Sequence, residues 1–88
     1  MPRLTMPEIR QLIEEYHQYE GDRNASLVRR IPHPDGGEMY LVHFVDKNGK
    51  KYSSLDMISL GATGEYATEY ASCPREDEHE MVLGYLNL

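Results

Sequence analysis

Residues 38–55 read EMYLVHFVDKNGKKYSSL, and this stretch decides the fold. Its first eight residues are rich in β-branched and aromatic side chains, which favours a strand. The next four residues, DKNG at 46–49, are typical of a type I turn with Gly49 in a left-handed bulge position. A returning strand over 50–55 completes a predicted β-hairpin at about 38–55.

The register of this hairpin depends on the length of its loop. A three-residue loop places Phe44 opposite Tyr52, and it also places Leu41 opposite Leu55. A four-residue loop would instead place Phe44 opposite Lys51. We predict the three-residue loop, because it pairs apolar side chains with one another across the strands.

Alternation along the two strands makes both faces of the hairpin apolar. One face carries Met39, Leu41, Val45 and Leu55. The other face carries Tyr40, Val42, Phe44 and Tyr52. One helix covers only one face, so three arrangements are open: the sheet curls into a small barrel, residues 56–72 cover the second face, or that face binds a partner or a second copy. The four residues of the tyrosine-bearing face are therefore candidate partner-binding residues.

An amphipathic helix is predicted at about 6–20. Thr5 and Glu8 form a capping-box pattern, and Pro7 lies in the first turn, where its missing N–H costs nothing. Gly21 is a natural stop for this helix. The apolar positions that recur at helical spacing are Ile9, Leu12, Ile13, Tyr16 and Tyr19.

The rest of the chain is less regular. Residues 25–31 are a predicted strand, 56–60 fit a short helical turn or a strand edge, and 63–72 fit a helix or a strand equally well. An acidic loop at 75–80 precedes a predicted C-terminal strand at about 81–86. The predicted fold class is α+β, with the N-terminal helix packed on a small curled antiparallel sheet of four to five strands, which includes the possibility of an SH3-like barrel.

The 88 residues are expected to form a single domain, and their net charge is −6. Residues 1–51 contain equal numbers of acids and bases, whereas residues 52–88 contain seven acids against Arg75 alone. This distribution argues against direct binding to nucleic acid, which depends on Lys and Arg contacts with phosphates, and it favours a partner with a basic surface. The candidate partner-binding acids are Glu76, Asp77, Glu78 and Glu80.

The sequence has none of the marks of a secreted or membrane-inserted chain. One cysteine, Cys73, excludes an internal disulfide framework and a thiolate zinc finger. The N-terminal segment has no apolar stretch of signal-peptide length, and no apolar run reaches the length of a membrane span. We expect a cytoplasmic protein, of the cell or of an infected host cell, with no membrane partner.

The chemistry-bearing residues fall into no catalytic pattern. The four histidines and Cys73 show no zinc-type spacing, and neither a nucleophile elbow nor a phosphate-binding loop occurs. The acidic stretch after Cys73 would raise the pKa of the thiol, not lower it. We therefore expect no catalytic residue, no metal, no cofactor and no enzymatic activity. A small Cys/His enzyme built on Cys73 is the third hypothesis.

The segments 40–44 and 52–56, together with Ile58, resemble the strand-turn-strand of chromo-barrel and Tudor-type SH3-like domains. The resemblance covers about 20 residues, and the tryptophan usual in that family is absent. It implies a small curled sheet. Domains of this kind read modified peptides through an aromatic cage.

The leading functional hypothesis is a non-catalytic protein-binding module, a small acidic adaptor or inhibitor that engages a basic partner such as a nucleic-acid-handling protein. In size and charge the chain is similar to phage-encoded inhibitors of bacterial defence, including anti-CRISPR proteins. The alternative is an SH3-like or chromo-barrel-like peptide-binding module, or a structural subunit that forms a homodimer. The first hypothesis predicts salt-sensitive binding, and the alternative predicts binding that is apolar and insensitive to salt.

Overall fold

A four-stranded antiparallel sheet lies between two helices in the computed structural model, which describes residues 4–34, 37–60 and 66–86. The elements are α1 (Met6–Tyr19), β1 (Arg23–Pro32), β2 (Glu38–Val45), β3 (Lys51–Leu60), β4 (Tyr66–Pro74), a 3₁₀ turn (Arg75–Asp77) and α2 (Glu78–Leu86). The strands lie in the order β1-β2-β3-β4. The α+β class is confirmed. Because β1 and β4 do not pair in the described ranges, the sheet is open, and the SH3-like barrel is wrong.

The predicted register of the central hairpin is confirmed. Phe44 lies opposite Tyr52. Leu41 lies opposite Leu55. The Phe44–Tyr52 pair lies on one face of the sheet, and the Leu41–Leu55 pair lies on the other. In each pair, two apolar side chains pack against each other across the strands.

The turn that sets this register has the predicted geometry. The backbone N–H of Gly49 donates to the carbonyl of Asp46 at 3.0 Å, and Gly49 has a φ of +83°. The Asp46 carboxylate also accepts from the backbone N–H of Asn48 at 2.9 Å and of Lys50 at 2.8 Å. Glycine is the residue that adopts a positive φ without strain, so the turn chemistry selects the three-residue loop.

The helix α1 begins at the predicted capping box. The Thr5 hydroxyl accepts from the backbone N–H of Glu8 at 3.4 Å, and the Glu8 carboxylate accepts from the backbone N–H of Thr5 at 3.0 Å. This second hydrogen bond lowers the pKa of Glu8. The helix ends at Tyr19, just before Gly21 at a φ of +91°. The core on this side of the sheet consists of Ile9, Ile13, Tyr40, Val42 and Phe44.

The two ambiguous segments are both strands. Residues 56–60 continue β3 to Leu60, and β4 begins at Tyr66. The two strands pair along most of their length, from Tyr52 opposite Pro74 to Leu60 opposite Tyr66. Residues 63–65 of the ambiguous segment lie outside the described ranges. Pairing along the long β3 selects a strand over a short helix here.

The C-terminal predictions are wrong. The predicted acidic loop at 75–80 is a 3₁₀ turn that leads into α2, and the predicted strand at 81–86 is the rest of that helix. Acidic residues in the first turn suit the positive end of the helix dipole. The second face of the sheet is therefore covered by α2, an arrangement outside the three expected. The core on this side consists of Ile31, Met39, Leu41, Leu55 and Val82.

Candidate functional site

The predicted partner-binding residues of the sheet lie in the core. Tyr40, Val42 and Phe44 are buried under α1, and Val42 is fully inaccessible. Tyr52 is half-buried beside them and stacks on Phe44 with ring centroids 5.8 Å apart. We expected these four residues to form an exposed binding face. That expectation is corrected, because α1 packs on this face of the sheet and covers it.

The predicted acidic residues divide into two groups. Glu78 is half-buried and accepts hydrogen bonds from the sheet. The others are exposed, and we call them the acidic turn: Glu76, Asp77 and Glu80. Arg75 donates to the carbonyls of Phe44 and Tyr52, each at 3.4 Å, so the start of this segment is held against the central hairpin.

Glu78 joins α2 to the sheet through a cluster that contains a serine and a histidine. The Ser53 hydroxyl donates to Oε1 of Glu78 at 2.7 Å, and Nε2 of His43 donates to the same oxygen. A nucleophilic serine donates instead to the histidine that removes its proton. Burial together with Asp77 and Glu78 raises the pKa of the neighbouring Cys73 thiol, which is the opposite of activation. This geometry gives no argument for the Cys/His enzyme hypothesis.

The sequence reasoning missed a second histidine cluster, under α1. His17 is fully buried, and its Nδ1 donates to Oδ2 of Asp22 at 2.7 Å. Its Nε2 donates to Oδ2 of Asp56, also at 2.7 Å and also fully buried. Ser54 donates to the other oxygen of Asp56 at 2.6 Å. Each ring nitrogen faces a carboxylate oxygen, and this arrangement favours the doubly protonated form of the ring.

Aromatic rings enclose the His17 side chain. Phe44 lies 4.7 Å from His17 between ring centroids, and Tyr70 stacks on it at 4.8 Å. Burial alone would lower the pKa of His17, but its hydrogen bonds to Asp56 and Asp22 outweigh burial and raise it. Burial and nearby carboxylates raise the pKa of Tyr70 to about 12. No substrate can reach a fully enclosed ring, so this cluster fastens α1 to β3.

One signal in the sequence pointed to the His17 cluster. His17 falls four residues after Ile13 on the apolar side of α1, and Asp56 continues a strand after the buried Leu55. Polar groups at positions that a pattern buries require partners, and such groups are found paired. The sequence separation of 39 residues hides which partner each one takes.

An accessible groove lies between α1 and the start of β4. We call it the tyrosine groove; among the described residues, it is lined by Leu12, Glu15, Tyr16, Tyr19, Tyr66 and Thr68. The groove is shallow and open to solvent, with a volume of about 360 Å³. Tyr19 is 86% exposed and Tyr66 is 38% exposed, whereas Tyr16 is half-buried at the inner end. This is a surface with both aromatic area and open access.

One carboxylate lines the tyrosine groove, and a second directly follows one of the lining residues in the chain. Glu15 lines the groove and accepts a hydrogen bond from the Gln11 side chain at 3.0 Å, and Glu20 follows Tyr19. Glu69 lies on the opposite face of β4, because its cross-strand partner Met57 packs on the α2 side of the sheet. Among the described residues, no Lys or Arg forms an ion pair with Glu15 or Glu20. Arg10 belongs by helical spacing to the opposite flank of α1, with Glu14. The groove is therefore acidic as well as aromatic.

Other signs of function are few. Within the described ranges, no three His, Cys, Asp or Glu side chains come together in a way that could hold a metal ion. Neither helix there combines the length and the apolar character that a membrane crossing needs. Comparisons with protein-family models, with curated proteins and with solved structures found no match. The function must therefore be inferred from side-chain geometry.

Proposed function

We propose that the protein is a non-catalytic protein-binding module whose partner presents a basic surface. The observation that carries this proposal is the tyrosine groove, where exposed aromatic side chains lie beside Glu15, which forms no ion pair with a Lys or Arg of the described ranges. Tyrosines are enriched among the residues that dominate binding energy at interfaces. The negative charge of Glu15 beside them favours a partner with Lys or Arg.

The acidic turn extends the negative surface on a different part of the molecule. Glu76, Asp77 and Glu80 are exposed, so their effect on a partner is long-range attraction more than tight contact. Long-range attraction speeds association, whereas close contacts in a groove slow dissociation. We therefore assign affinity to the tyrosine groove and a share of the association rate to the acidic turn.

A nucleic-acid-handling protein is the kind of partner that this surface fits. Such proteins carry Lys and Arg side chains that bind phosphates, and carboxylates on this chain would take the place of those phosphates. The protein would then act as an adaptor or an inhibitor by covering the phosphate-binding surface. This role needs no catalytic residue and no cofactor.

Two charge-matched variants test the proposal. The groove variant carries Glu15→Gln and Glu20→Gln, and the turn variant carries Glu76→Gln and Asp77→Asn. Each removes two exposed charges, so a difference between them reflects position and not net charge. Circular dichroism confirms that both are folded.

Tagged wild type and both variants are used for capture from nuclease-treated lysate at low and high salt, and the captured protein is purified for kinetic measurements. We expect a basic protein that high salt releases, with affinity for the groove variant lowered about tenfold or more, as for loss of close charge pairs. The turn variant should mainly lower the association rate, by about two- to threefold. Capture that nuclease abolishes, or equal binding by wild type and the groove variant, would contradict the proposal.

A further inference from the structure

The side chains of the tyrosine groove favour the binding of one kind of side chain. Three tyrosines from α1 and β4 line it with Glu15 beside them, and Glu20 directly follows Tyr19 in the chain. A side chain with an apolar stem and a cationic end matches both parts, since cations are attracted to the faces of aromatic rings. We infer that the tyrosine groove binds an arginine side chain of the partner.

Arginine fits the arrangement better than lysine does. The guanidinium is planar, stacks on aromatic rings and carries five N–H donors that point in several directions. Glu15 lines the groove beside the tyrosines, so a planar group with several donors can stack on a ring and still donate to this carboxylate. A lysine ammonium is a compact and strongly hydrated charge that loses more by leaving water.

The inner part of the groove is held in place before any guest arrives. Tyr16 meets Tyr70 edge to face at 5.5 Å, and Tyr70 stacks on the buried His17. Tyr16 is therefore fixed by the core. At the outer end, most of the Tyr19 side chain is exposed to water. A ligand that covers Tyr19 therefore buries apolar surface of the ring, which contributes favourable binding free energy.

This inference rests on the proposed function, because the arginine belongs to the basic partner. Its direct test uses three synthetic peptides: acetyl-Leu-Arg-Leu-Arg-Leu-amide, the same peptide with lysine at both cationic positions, and the same peptide with citrulline there. Citrulline keeps the shape of arginine and removes its charge. Binding to the full chain is followed by NMR titration of the tyrosine ring signals.

The variants for this test are Tyr19→Leu and Tyr66→Leu, which keep apolar volume at exposed positions and remove the aromatic face. Leu83→Ala, at an exposed position on α2, is the control. We expect the arginine peptide to bind most tightly and to shift the signals of Tyr16, Tyr19 and Tyr66. Each tyrosine variant should weaken it about two- to fivefold, and the control should not.

Three results would overturn the inference: equal binding of the arginine and citrulline peptides, equal or tighter binding of the lysine peptide, or unchanged affinity in both tyrosine variants. Groove signals that change with protein concentration alone would also overturn it, since a second copy of the chain would then occupy the groove. The two proposals fail separately. If the groove carboxylate variant loses the basic partner while both tyrosine variants keep it, the proposed function stands and the arginine site does not.

Discussion

The two helices are fastened to the two faces of the sheet by the same three chemical groups in different surroundings. Each fastening joins an imidazole to a carboxylate that also accepts from a serine hydroxyl. We call them the α1 anchor, made of His17, Asp56 and Ser54, and the α2 anchor, made of His43, Glu78 and Ser53. The helix supplies the histidine in the first and the carboxylate in the second.

The two anchors differ in burial, and this difference decides what each contributes. His17 and Asp56 are inaccessible to water, whereas His43 and Glu78 keep 29% of their side chains exposed. A buried ion that loses its partner keeps the full cost of its lost hydration, but a partly exposed ion recovers water. The α1 anchor should therefore be the more costly of the two to break.

The largest expected effect comes from His17→Ala. Asp56 would stay buried with Ser54 as its hydroxyl donor and no cation, so the free energy of unfolding should fall by about 3–5 kcal/mol. Urea denaturation monitored by circular dichroism measures it. The double variant His17→Leu, Asp56→Asn removes both charges, and it should recover part of the loss. A loss below about 1 kcal/mol for His17→Ala would show that the anchor is not the buried ion pair that we describe.

A change in pH should alter the free energy of unfolding through the same anchor, by less than His17→Ala does. Because the pKa of His17 is raised on folding, the native state holds its proton more strongly than the unfolded chain does. The stability that this proton adds is complete below the ordinary histidine pKa of about 6.5, and it is lost as pH rises through the folded pKa. Neutral His17 would still fill its place between Phe44 and Tyr70, which limits the loss.

The measurement is the urea midpoint between about pH 6 and pH 9, for wild type and for His17→Gln. The groups that face His17 are Asp22, Asp56, Tyr16 and Tyr70, and the tyrosines remain protonated in this range because their pKa values are raised. Wild type should lose stability with rising pH more steeply than the variant does. Parallel curves would mean that His17 does not carry the dependence.

The smallest effect is expected from the α2 anchor. Glu78→Gln keeps the shape and one acceptor, and water reaches the site, so the free energy of unfolding should fall by only about 0.5–1.5 kcal/mol. Glu80→Gln, on the same helix and exposed, is the matched control and should stay within about 0.5 kcal/mol of wild type. If Glu78→Gln cost as much as His17→Ala, burial would not explain the difference between the anchors.

The parts of the fold that were predictable are those set by neighbours in the chain. The register of the hairpin follows from the turn at Asp46 and Gly49, where the hydrogen bonds and the positive φ are local. The helix α1 follows from the capping box at Thr5 and the apolar spacing behind it. In each case the residues that determine the structure lie within a few positions of one another.

The C-terminal helix was not predictable in this way. Its short apolar segment, MVLGYL at 81–86, fits a strand as well as a helix, and Gly84 weakens the helical pattern. The helix forms because Val82 packs on the face that carries Leu41 and Leu55, with Glu78 bound to His43. Tertiary packing supplies most of the stability of such short helices, and it is not visible from the segment alone.

The sequence by itself determined that this protein is an α+β chain with one capped N-terminal helix, a central hairpin of known register and two apolar sheet faces. Only the tertiary structure decided that helices cover both faces, that His17 meets Asp56, and that Tyr16, Tyr19 and Tyr66 converge beside Glu15. The physical reason is the sequence separation over which each kind of interaction acts. Turns, caps and alternation act between neighbours, whereas burial and charge pairing join residues that are distant in the chain, and many different pairings are compatible with one pattern.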